Sequence, residues 1–134
     1  MRVLFLSLFI FIAKIAIGQT HHDERLTVKY ASKYLDRMEE KSPVIYQRIN
    51  YYLDHSYMII DNPNGKFDQL KDEISIQNLD EINILELERA FDIQPDYKMR
   101  RVFRIKGTDK VLVRLPMEEF NEAFNQFRKT YRED

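Results

Sequence analysis

The sequence predicts an α+β domain: an N-terminal helical hairpin, a small mixed or antiparallel sheet ending in a C-terminal β-hairpin, and a last helix packed on that sheet. Three observations predict it. In residues 99–120, MRRVFRIKGTDKVLVRLPMEEF, apolar and polar side chains alternate on both sides of a Gly-containing turn, which is the pattern of a β-hairpin. In residues 24–53 apolar side chains recur at helical spacing on both sides of Ser42-Pro43. In the last stretch Met117, Phe120, Ala123, Phe124, Phe127 and Tyr131 recur every three or four residues, with one adjacent pair, the strongest amphipathic helix pattern in the chain.

The first segment is not part of the domain. Residues 1–18, MRVLFLSLFIFIAKIAIG, place Arg2 before an apolar run and end in Ala16-Ile17-Gly18. That is the three-part plan of a secretory signal peptide, with cleavage expected before Gln19. The run is shorter than the roughly 20 residues a membrane span needs and is interrupted by Lys14, so no stable span is expected after cleavage. A signal ending in small residues before Gln resembles those of many Gram-negative envelope proteins. With no cysteine in the chain, an acylated-cysteine anchor is excluded, and an exported domain must rest on its core alone. A periplasmic or secreted location is expected. Removing Arg2 and Lys14 leaves 19 basic residues against 22 acidic ones, a net charge of −3. Residues 19–134 are expected to be a single domain.

Residues 19–23 have no periodicity and read as a disordered terminus. His21 and His22 are adjacent there, and His55 is the only other histidine, too few ligands for a closed metal site; neither metal nor cofactor is expected. Val28, Ala31, Tyr34, Leu35 and Met38 form one helical stripe over residues 24–40. Ser42 and Pro43 suit an N-cap and first helical position, and Ile45, Ile49, Tyr52 and Leu53 carry a second helix to about residue 53. Tyr30, Tyr34, Tyr46, Tyr51, Tyr52 and Tyr57 crowd this region, as a cover for the sheet or as an aromatic contact surface.

Residues 57–60, YMII, read as a buried strand, followed by the turn cluster Asp61-Asn62-Pro63-Asn64-Gly65. That cluster fails as an EF-hand loop, because its first position would be Ile60. Residues 66–73 suit a turn of helix, residues 82–87, INILEL, a strand, and residues 89–93 a helical turn ended by Gln94-Pro95. In the hairpin, a two-residue loop opposes Ile105 to Lys110 and Phe103 to Leu112. A three-residue loop, residues 107–109, opposes Ile105 to Val111 and Phe103 to Val113, with Asp109 left-handed. The second register is the expected one, because it gives an apolar face and a face carrying Arg104, Lys106, Lys110 and Arg114.

The segments YMIID, LDEINILEL and VFRI resemble in outline the plug segment of TonB-dependent outer-membrane receptors. They differ in having Asp61-Asn62 where plugs usually carry Asp-Gly, and in lacking a Gly-rich stretch before the last strand. They cover under half of the chain, and no family is assigned from them.

No G-x-S-x-G elbow, cysteine nucleophile or Gly-rich phosphate loop is present, and His55 is the only candidate general base, so no catalysis is expected. Charge is uneven. Residues 54–96 hold eleven acidic and three basic side chains, and residues 98–114 seven basic and one acidic. The reading that follows is an exported, non-catalytic bacterial envelope protein that binds a protein partner, as an assembly factor, inhibitor or immunity-type protein. Its expected contacts are Arg104, Lys106, Lys110, Arg114, Tyr46 and Tyr51. One alternative is a small-ligand or weakly enzymatic domain with a pocket near His55; another is a self-associating structural component of the envelope. Export and net acidity speak against nucleic acid.

Overall fold

A computed structural model describes residues 21–132; the expected signal peptide and its cleavage point lie outside these residues. Within them four α-helices and a four-stranded mixed sheet form the α+β fold. A 3-10 turn, Glu24–Val28, leads into α1, Ser32–Lys41, and α2, Pro43–His55. Strand β1, Tyr57–Asp61, and the two-residue β2, Glu73–Ile74, precede α3, Ile84–Ala90. The hairpin β3, Arg101–Ile105, and β4, Lys110–Arg114, runs into α4, Met117–Thr130. The strand order is β1-β4-β3-β2, with β2 parallel to β3 and the other pairs antiparallel. No helix among the described residues is long and apolar enough to cross a membrane.

The hairpin forms where expected, but in the other register. Phe103 pairs with Leu112 and Arg104 with Val111. Two physical facts set this register. The Thr108 N–H donates to Ile105 O at 3.2 Å, closing a β-turn in which Gly107, at φ 76°, takes the left-handed position expected of Asp109. And β4 is a central strand, with Val111, Leu112 and Val113 all buried, so its apolar run does not say which face is the core. The observed pairing puts Ile59, Phe103, Ile105 and Leu112 on the core face together with Arg114, and Met58, Val102, Arg104 and Val111 on the other. Strand β1 is therefore an edge strand, its Met58 and Ile60 each 37 % exposed, not the buried strand its composition suggests.

Two further expectations are corrected. The helix expected over residues 24–40 is broken: Leu26, fully buried, anchors the 3-10 turn, and α1 begins only at Ser32. Of the terminus expected to be disordered, residues 19–20 lie outside the described residues, and His22 has Nδ1 2.7 Å from the Tyr46 hydroxyl and Nε2 2.7 Å from Asp36 Oδ1. The strand expected over residues 82–87 is helix α3. Asn83 Oδ1 accepts from the Leu85 and Glu86 N–H groups at 3.1 and 3.4 Å, and an N-cap that satisfies two free donors overrides the strand propensity of a short apolar run.

The core lies between the sheet and the helical layer. Ile74, Phe103, Ile105 and Leu112 of the sheet pack with Leu26, Leu35, Leu53, Ile84 and Leu85. The aromatic stripe of α4 meets α2: Phe120 contacts Tyr51 and Tyr52, and Phe124 and Phe127 contact Tyr51, at ring centroid distances of 4.7 to 5.9 Å.

Candidate functional site

The helical hairpin does not close fully onto α3. Through Arg25 the 3-10 turn is tied to both α2 and α3. Arg25 bonds Asp23 and, at 2.6 Å, Asp54 at the end of α2, and Arg25 O accepts from Asn83 Nδ2 at the start of α3. Burying Leu26 there leaves Val28, Lys29 and Tyr30 along the gap between α2 and α3. The result is a cleft of about 640 Å³, within the usual range for small-molecule sites of roughly 300–1,000 Å³.

Each element contributes one part of the lining. Helix α1 gives Tyr34 and Met38, α2 gives Ile45, Arg48, Ile49 and Tyr52, and α3 gives Leu85, Glu88 and Arg89. The loop after α3 supplies Asp92, Ile93 and Pro95. That loop turns back sharply because α3 ends in a Schellman motif: Ile93 N–H donates to Glu88 O at 2.8 Å and Asp92 sits at φ 48°. The rings of Tyr30 and Tyr34 stack 5.8 Å apart beside the opening, and Tyr34 and Ile45 are each 53 % exposed. The cleft is thus a mainly apolar trough with stacked tyrosines beside it and Lys29, Arg48, Glu88, Arg89 and Asp92 in its lining.

Its inner wall is braced by a polar cluster. Arg114, only 3 % exposed, donates from Nε to Glu88 Oε1 at 2.7 Å, and from its terminal nitrogens to the Tyr52 hydroxyl and to Leu115 O. The Tyr52 hydroxyl donates to the same Glu88 oxygen at 2.5 Å. Burial, and next the bond to Glu88, push the Tyr52 phenol far above its ordinary value, against the opposing pull of Arg114. The cluster is therefore a closed ion pair with a neutral tyrosine across it.

The residues expected to meet a partner are not brought together. Arg114 points into the core and is no surface contact. Arg104 lies on the opposite face, held by Glu73 at 3.3 Å and by Leu70 O at 2.8 Å. Lys110 shares the face of Arg114 and pairs with Asp61 at 2.6 Å, and Lys106 is exposed in the turn. The single basic face expected from the other register does not exist, because a one-residue slip sends alternate side chains to opposite faces. Tyr46 is occupied by His22, with burial pushing its phenol up. Tyr51 stacks on His55, 3.8 Å away, and meets Phe127, 4.7 Å away.

His55 is exposed, bonded through Nδ1 to Tyr51 O at 2.9 Å, and does not line the cleft. Among the described residues no three His, Cys, Asp or Glu side chains are grouped so as to hold a metal ion. The cleft residues Arg48, Glu88 and Arg89 were not singled out from the sequence. One available signal was Asn83 followed three residues later by Glu86, a helix-start pattern that puts Leu85, Glu88 and Arg89 on a helix.

No family model, no curated protein and no solved structure matches this chain.

Proposed function

We propose that this chain is an exported, non-catalytic binding domain whose guest is a small, mainly apolar molecule held in the cleft between the helical hairpin and α3. The observation that carries the reading is the cleft itself: about 640 Å³ bounded by Met38, Ile49, Leu85 and Ile93, with stacked tyrosines beside its opening. Export is supported by the tripartite pattern of residues 1–18. Binding without catalysis is supported by the inner wall, where Tyr52 and Glu88 are committed to Arg114. A phenol held far above its ordinary range stays protonated near neutrality and cannot serve as a general base. The dispersal of Arg104, Lys106, Lys110 and Arg114 speaks for the cleft over the hairpin as the contact site.

A neutral fluorescent probe, N-phenyl-1-naphthylamine, tests the reading. The expected result is saturable binding to residues 19–134 that Ile45→Trp, which fills the trough from an already exposed position, weakens about tenfold or more while melting stays cooperative. Equal binding by the variant, or no binding by either protein, contradicts it.

A further inference from the structure

Resting on that reading, we propose that the guest is a single-chain amphipath with an acidic headgroup, its chain in the apolar trough and its carboxylate or phosphate against Arg48, Arg89 and Lys29. Five ionisable side chains other than tyrosines line the cleft: Lys29, Arg48, Glu88, Arg89 and Asp92. Glu88 is neutralised within the wall by Arg114 at 2.7 Å. Three cations and one acid, Asp92, remain.

Elsewhere among the described residues some cations are held in ion pairs and others, such as Lys66, Lys71 and Lys106, are not, so what distinguishes these three is that they line one cleft. Arg25, Arg100, Arg101, Arg104 and Lys110 each meet a carboxylate within 4 Å. Among the described residues, none of the ion pairs includes Lys29, Arg48 or Arg89. Arg48 is half-buried, and its Nη2 donates at 2.6 Å to the amide oxygen of Asn121, while its guanidinium lies 5.6 Å from the centre of the Phe120 ring. Both partners are neutral, so the guanidinium is positioned but keeps its charge. Lys29 Nζ likewise lies 5.5 Å from the ring centre of Tyr30. An arginine fixed by neutral contacts beside an apolar trough keeps donors for an oxyanion and loses little freedom in using them. A neutral guest would make no charge-assisted bond to them, and a cationic one would be repelled. The single acid, Asp92, is expected to weaken the preference without reversing it.

Competition against N-phenyl-1-naphthylamine tests the proposal with four probes sharing one chain: decanoate, decyl phosphate, decanol and decyltrimethylammonium. Both acids are expected to displace the probe about tenfold more tightly than decanol, the scale of one hydrogen bond to a charged group, with the ammonium weakest. Arg48→Gln and Arg89→Gln should each reduce the acid-to-alcohol ratio several-fold. Arg48→Lys should keep most of it, and Asp92→Asn should raise it. Probe binding with equal displacement by decanol and decanoate overturns the headgroup assignment and leaves the binding reading standing. An acid preference untouched in both glutamine variants overturns the choice of residues. Absence of probe binding removes the binding reading and this inference with it.

Discussion

Arg114 shows how one side chain can serve the fold by holding a wall. It stands at the end of β4 on the core face, where a free guanidinium would be costly, and Glu88 and Tyr52 answer it from α3 and α2. Removing one member of a buried pair leaves the other uncompensated, at about 3–5 kcal/mol, whereas replacing both by apolar side chains is often neutral. Arg114→Met is therefore expected to cost about that much in chemical denaturation, and Arg114→Met combined with Glu88→Met to recover most of the loss. A double variant as unstable as the single would contradict the account of the pair. On the 3-10 turn, the Arg25 guanidinium, bonding Asp23 at 2.8 Å, holds the Asp23 carboxyl below its ordinary value of 3.8. A depressed folded-state pKa contributes stability that is present above 3.8 and lost as pH falls through the lower folded value. Asp23→Asn keeps the cap on the Arg25 N–H but removes the charge. It should flatten the fall in melting temperature between about pH 5 and pH 3 relative to the wild type; parallel curves would contradict this.

Among the elements, α3 decides whether there is a cleft at all, since it carries Leu85, Glu88 and Arg89 and ends in the turn that places Ile93. Its seven residues are too few to hold as a helix unaided, so its N-cap matters. Asn83→Ala is expected to cost about 1 kcal/mol in stability and to loosen probe binding; unchanged denaturation would show that the cap bonds are unimportant. The same element marks the boundary of what the sequence can tell. Helices α2 and α4 were legible because Ser42-Pro43, Pro116 and long apolar stripes are local signals. The hairpin was legible as an element, through alternation about Gly107, but not in its register, because β4 is buried on both faces and its neighbour β1 comes from far away in the chain. Strand β2, two residues long, is defined by its parallel pairing with β3 and has no local pattern to read. Residues 82–87 satisfy both periodicities, and the cap bonds of Asn83 decide between them.

On the scale of the whole molecule, the described residues form a sheet whose core face is covered by helices that leave a gap. That gap is lined from α1, α2, α3, the segment after the first turn, the loop after α3 and the first residue of α4, so no stretch of sequence carries it. The charge split between residues 54–96 and 98–114 was legible and is largely spent locally, in pairs such as Asp61–Lys110, Asp72–Arg101 and Glu73–Arg104. Outside those pairs, Lys29, Arg48 and Arg89 share the lining of the cleft. Methyl chemical-shift mapping of residues 19–134 during titration with N-phenyl-1-naphthylamine and with decanoate tests the cleft as a binding site most directly. Saturable shifts are expected at Met38, Ile45, Ile49, Leu85 and Ile93, with Met58, Ile60, Val111 and Val113 on the opposite sheet face unmoved. Shifts confined to that sheet face, or no shifts at the cleft methyls, would contradict it.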